Sequence, residues 1–157
     1  MGGFFDYGVA TAAPNEVVDV FLEGATETDW SMLLAYGERR HVEPDEVLFE
    51  LGDRSRSLMI VLDGTFQASL PGRRRGHRNV AGTITSGSVL GELAFLDGVE
   101  RSARVSAVTE GEVLVLEWSA FEKLAAVRPS LAIEILTGLG RILAARFRTT
   151  AARANNG

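Results

Sequence analysis

The sequence predicts a mainly β domain with flanking helices. Two observations predict it: apolar residues recur with helical spacing at both ends, and short strand-like runs separated by turn residues fill the middle. Many short strands at regular spacing build a sandwich, jelly roll or barrel. The 157 residues suit one domain, and 46% apolar residues suffice for one core.

Residues 1–13 are small, Gly/Ala-rich and aromatic at Phe4, Phe5 and Tyr7. They read as a flexible arm, either a frayed terminus or a segment whose aromatic residues dock on this domain or a partner. A single domain is expected over 14–150. Pro14 suits a first helical turn, and Val17, Val18, Phe21 and Leu22 share one helical face. A second helix is expected from Thr28 or Asp29 through Trp30, Leu33 and Leu34 to Gly37, so that helices occupy 14–37.

A β-roll of about eight strands is expected over 39–118. The strand-like runs are Val47 to Leu51, Leu58 to Leu62, Thr65 to Leu70, Val80 to Thr85, Arg104 to Thr109 and Val113 to Trp118. Turn signals separate them at Glu43-Pro44-Asp45, Gly52-Asp53, Asp63-Gly64, Pro71-Gly72, Ser86-Gly87 and Glu110-Gly111. Helices return over 119–150. Ser119 with Glu122 reads as a capping box for a helix ending before Pro129. A longer helix follows from Ser130, with Leu131, Ile135, Leu139, Ile142, Leu143 and Phe147 on its apolar stripe. The polar tail 151–157 is expected to fray.

Composition excludes several classes. With no cysteine, disulfides, thiolate metal sites and cysteine nucleophiles are absent, and a reducing, cytoplasmic setting is expected. A net charge of −5 argues against a nucleic-acid surface covering the domain. No apolar run approaches a membrane span, and the acidic start with Asp6 fits neither a secretory signal nor a myristoylation motif. His41 and His77, the two histidines, sit in different segments, so neither a metal site nor an enzyme is expected. The run Arg73-Arg74-Arg75-Gly76-His77-Arg78 reads as a solvated hairpin loop or as a patch for an acidic partner.

One stretch, Gly87 to Val105, breaks the strand pattern. Glu92 to Leu96 can form one short helical turn between Gly91 and Gly98. A short helix opened by glycine presents backbone N–H groups suited to an anion. Arg101 follows, and its planar guanidinium can grip two phosphate oxygens. Glu92 would repel a bare phosphate, but a carboxylate accepts hydrogen bonds from a sugar hydroxyl. Ser102 can add a phosphate contact, and Ala103 leaves room for a sugar ring. Together these residues describe a compact ligand with one phosphate and a free hydroxyl on one edge.

The segment GELAFLDGVERSARV resembles the phosphate-binding cassette of cyclic-nucleotide-binding domains, the family of the kinase regulatory subunit, the catabolite activator and nucleotide-gated channels. Val47 to Gly64, Ile84 to Gly87 and Val113 to Val127 resemble other parts of that domain, so the likeness covers most of the chain from Arg39 to Phe147. Ser88, Leu90 and Glu100 depart from common family residues without removing a ligand contact. The resemblance implies an eight-stranded jelly-roll β-barrel with N-terminal helices and B- and C-type helices after it. It implies that Glu92 binds the ribose 2′-hydroxyl and Arg101 the cyclic phosphate. Gly91, Leu93 and Ala94 match the cassette's short helix, and Ser102 and Ala103 its far end. Ser102 leans toward cyclic AMP and leaves cyclic GMP open; no other cofactor is expected.

The family's last helix covers the base or pairs two copies. Arg141, Arg146, Phe147 and Thr149 are therefore candidate lid or base contacts, or the helix merely covers the barrel. The implied function is a ligand-responsive regulatory or adaptor domain that works by helix movement, with a second copy paired through the last helix or an effector protein as its partner. The alternative is a structural or interaction domain of a larger channel, transporter or regulator system with weak or no nucleotide response. Only a short tail follows the long helix, so direct DNA binding is not expected.

Overall fold

The computed structural model describes residues 21–157. The expected arm and most of the first expected helix lie outside the described residues. Phe21 to Gly24 form a turn rather than the end of a helix. Two helices and eight strands then alternate in the order α1(Glu27–Tyr36), β1(Glu38–Val42), β2(Val47–Phe49), β3(Ser57–Asp63), β4(Thr65–Pro71), β5(Arg78–Thr85), β6(Val89–Leu90), α2(Glu92–Asp97), β7(Arg104–Ala107) and β8(Gly111–Glu117). Helices α3(Trp118–Val127) and α4(Pro129–Asn155) close the chain.

The strands form two four-stranded antiparallel sheets, β1-β8-β3-β6 and β2-β7-β4-β5. Together with the flanking helices they make the expected jelly-roll architecture. Strand β3 shows why the first sheet is central. Its side chains alternate between the two faces, and both faces are buried. Met59 and Val61 enter the core between the sheets with Phe49, Phe66, Val105 and Val113. Leu58 and Ile60 enter a second core with Leu114 and Leu116 of β8, Phe95 of α2, and Phe121, Leu131 and Ile135 of the last helices. The unbroken apolar run LMIVL is therefore a strand covered on both sides, not an amphipathic one.

Two strands were not anticipated. Strand β1 is an edge strand, ERRHV, mostly exposed and paired only with β8, so it lacks an apolar pattern. Strand β6 is two residues long and is held by Met59 and Ile60. The expected run from Val47 to Leu51 stops at Phe49, because Asp53 accepts from the Glu50 amide (2.9 Å) and turns the chain.

The caps also differ. Helix α1 starts at Glu27, with Thr26 and Asp29 as a reciprocal capping box, earlier than the expected Thr28 or Asp29 start. The capping box expected at Ser119 does not form: α3 begins at Trp118, with Glu117 at its N-cap and no side-chain cap bond. Strand β8 runs straight into this helix, and the Trp118 amide instead donates to the Arg56 carbonyl (3.0 Å). At the other end, α4 continues through Asn155, so most of the tail expected to fray is helical.

Asp29 fastens α1 to the joint between α3 and α4. It is buried, accepts from the Thr26 amide (3.0 Å) and pairs with Arg128 (2.8 Å). The Thr26 amide holds its pKa below the ordinary value. The Thr26 hydroxyl and the Arg128 charge add to this against the opposing effect of burial. A depressed carboxylate pKa stabilises the fold above the ordinary carboxylate range, and that contribution fades as pH falls through the folded-state value. Urea unfolding should therefore separate the native chain from Asp29→Asn most at neutral pH and progressively less in acid. A gap independent of pH would contradict this role.

Candidate functional site

The site forms where the β2–β3 turn, α2 and the approach to β7 meet. The Gly52 amide donates to the Arg101 carbonyl (2.8 Å), and the Arg101 amide donates to the Asp53 carbonyl (2.7 Å). This reciprocal pair fixes the backbone of Arg101 against the turn. Gly52 has a φ of +88°, a conformation the turn needs and most residues resist.

The Arg101 side chain is 1% exposed. Its Nε donates to Ser55 Oγ (3.1 Å), and Nη1 donates to the Gly91 carbonyl (2.9 Å). Nη2 donates to the Ser57 carbonyl (3.0 Å) and to Ser57 Oγ (3.1 Å). The Phe49 ring lies 4.2 Å below the guanidinium carbon. A buried cation is tolerable only when hydrogen-bonded in this way. The fork is thus held in a fixed plane by groups from three segments.

Gly91 is required here. Its φ is +75°, and a Cβ would sit 3.2 Å from Arg101 Cζ and 3.2 Å from the Ser57 carbonyl, closer still to Nη1. Helix α2 is the expected short helix, bounded by left-handed Gly91 and Gly98.

Glu92, the first residue of α2, is fully buried. One carboxylate oxygen, Oε1, pairs with Arg146 of α4, itself buried. The other, Oε2, is buried with no hydrogen-bond partner. A buried acceptor in this state calls for an explanation, and a ligand donor is one. The structure thus brings Gly91, Glu92 and Arg101 together, and it adds Arg146 to them.

The remaining expected residues divide. Ala94 is buried and Leu93 half-buried on α2, while Ala103 belongs to the core between the sheets. Ser102 lies at the surface. Of the candidate lid residues, only Arg146 reaches the cassette. Arg141 is exposed, Phe147 is 63% exposed, and Thr149 donates back to Ala145 of its own helix (3.0 Å). The arginine run is exposed: residues 73–77 form the tip between β4 and β5, and Arg78 begins β5. Among the described residues, no group of His, Asp and Glu is arranged to hold a metal.

Phe49, Ser55 and Ser57 were missed as site residues. The Ser55-Arg56-Ser57 alternation was a usable signal, since an extended segment sends Ser55 and Ser57 to one side.

Residues 39–128 match the family described as cyclic nucleotide-binding domain. A relative from Rhodopseudomonas palustris, named as a potassium channel protein, is 33% identical over 110 residues, 70% of this chain and 26% of that protein. The chain thus spans about a quarter of that relative. The crystal structure of a cyclic nucleotide-binding domain from Methylobacillus flagellatus superposes with a TM-score of 0.75 at 26% identity, covering 87% of this chain and 76% of that one. The catabolite activator protein of Thermus thermophilus has the same fold, with a TM-score of 0.74 at 24% identity, covering 86% of this chain and 61% of that one.

The Glu92–Arg146 pair yields a stability test. Arg146→Met leaves the Glu92 carboxylate buried and uncompensated, and should destabilise by about 3–5 kcal/mol. The double variant Glu92→Gln with Arg146→Met should recover much of that loss. Denaturant titrations in which Arg146→Met matches the native chain would contradict the pairing.

Proposed function

Because the chain belongs to the cyclic nucleotide-binding domain family, we propose that it binds a ribose cyclic monophosphate through Arg101 and Glu92 and relays occupancy through α4. The observation that carries this reading is Glu92: one oxygen is engaged by α4, and the other is a buried acceptor lacking a donor. A ribose 2′-hydroxyl supplies that donor. The cyclic phosphate would exchange part of the hydrogen bonds from Arg101 to the Ser55 and Ser57 hydroxyls for its own oxygens, with the guanidinium already oriented. Gly91, Leu93 and Ala94 shape the cassette floor, with Ser102 and Ala103 at its far end. Ser102 favours cyclic AMP over cyclic GMP by the family likeness.

The relay follows from the same carboxylate. A ligand hydroxyl on Oε2 satisfies Glu92 while Oε1 keeps Arg146, so the ligand prefers the arrangement in which α4 is docked. Only such differential preference shifts a conformational equilibrium, by about 1–3 kcal/mol in typical cases. The chain then acts as a regulatory module rather than a catalyst, and the channel-like relative supports a place beside a larger effector. No helix among the described residues is long and apolar enough to cross a membrane. A cytoplasmic location belongs to the same proposal.

The exposed side of α4 supports a homodimer. Ile133, Leu136, Gly140, Leu143 and Phe147 recur at alternating steps of three and four residues, and Ile133, Leu136 and Phe147 are exposed. That spacing forms the seam of a two-helix coiled coil, and a two-fold axis makes it self-complementary. Phe147, expected as a lid residue, is better placed for this second copy. Sedimentation should show a dimer that Leu136→Glu dissociates; a native monomer at all concentrations would contradict it.

Calorimetric titration tests the site. Arg101→Ala should lose about 2–5 kcal/mol of cyclic AMP binding. Since Arg101 also ties three segments together, Arg101→Lys serves as a folded control that keeps the charge but not the fork. The native chain should prefer cyclic AMP to its 2′-deoxy analogue, and Glu92→Ala should abolish that preference. Undiminished binding by Arg101→Ala, or equal loss of both ligands with Glu92→Ala, would overturn the assignment.

A further inference from the structure

The segment Ser55-Arg56-Ser57 faces two ways. Ser55 and Ser57 hold the Arg101 guanidinium on one side. Arg56, between them, points to the other. Its Nε donates to the Phe95 carbonyl (3.0 Å) and its Nη2 to the Leu96 carbonyl (3.1 Å), so it covers the C-terminal end of α2. Its guanidinium carbon lies 3.8 Å from the centroid of Trp118, the first residue of α3. The Arg56 carbonyl accepts from the Trp118 amide (3.0 Å).

Trp118 in turn touches the ligand-binding helix. Phe95 of α2 meets Trp118 edge-on at 5.1 Å and Phe121 of α3 at 5.4 Å, and Trp118 and Phe121 lie 5.2 Å apart. Gly98, left-handed at φ +69°, ends α2 directly beside the Arg56 guanidinium. One residue thus contacts the end of α2 and the start of α3, and its chain neighbours contact the phosphate arginine.

We infer that Arg56 is the positioning residue that transmits occupancy of the Arg101 site to the start of α3. The inference rests on the nucleotide-binding reading above and adds a second route beside the Glu92–Arg146 pair. Any shift of Ser55, Ser57 or α2 on phosphate binding moves both groups that Arg56 bridges. The cation on the indole face converts that shift into a changed environment for Trp118.

The chain has two tryptophans, Trp30 and Trp118. Trp30→Phe therefore leaves Trp118 as the reporter. In this background, cyclic AMP should change Trp118 emission along the same curve that calorimetry records for binding. Adding Arg56→Gln should cut the emission amplitude about fivefold while affinity stays within about tenfold, with Arg56→Lys intermediate. Arg56→Lys also serves if Arg56→Gln fails to fold. An Arg56 that only stabilises the fold would lower the melting temperature with and without ligand and leave the amplitude intact, which would overturn the inference. So would binding by Trp30→Phe with a silent Trp118. Absence of calorimetric binding in both the native and Trp30→Phe chains would instead sink the nucleotide reading, and this role with it.

Discussion

A guanidinium buried inside a β-roll organises this molecule. Arg101 fixes the β2–β3 turn through its backbone and ties Ser55, Ser57 and Gly91 together through its side chain. Leaving such a charge unsatisfied in an apolar interior would cost several kcal/mol. The surrounding chain is therefore built to its shape: glycine at 91, serines on alternate positions, and an aromatic ring beneath. The same features that make the arginine tolerable also hold its planar face in one orientation, and that is what recognition of a phosphate needs.

The first sheet explains how a local event can reach distant helices. Because β3 is buried on both faces, its inner side chains belong to the roll and its outer ones to the helical core. Close-packed cores transmit displacement rather than absorb it. Helix α2 sits at this boundary. Glu92 at its first residue meets α4, and Phe95 in its last turn meets α3. A small rotation of α2 would thus be felt by both closing helices, through an ion pair at one end and aromatic edges at the other.

Much of this was legible in the sequence. The run LMIVL, the glycine-bounded ELAFLD and the spacing of Glu92 to Arg101 carry their own physical meaning, and they located the roll and the cassette. What failed was local and had local causes. Strand β1 carries charges because it lies at an edge, and β6 is too short to show any period. The Ser119 box lost to the Trp118–Arg56 backbone bond, a contact between residues far apart in sequence. The serine alternation shows that Ser55 and Ser57 share one side, but it does not name their partner, an arginine more than forty positions away. Arg146 was one candidate among several on α4, and only the helix rotation in the fold singles it out from Arg141 and Phe147.

The central claim is that one guanidinium and one carboxylate close on the same small ligand. A crystal structure of the chain with cyclic AMP addresses it most directly. The account predicts phosphate oxygens within hydrogen-bond distance of the Arg101 guanidinium and the ribose 2′-hydroxyl on Glu92 Oε2, with Arg146 still on Oε1. Ligand bound elsewhere, or Glu92 turned away from the sugar, would contradict it.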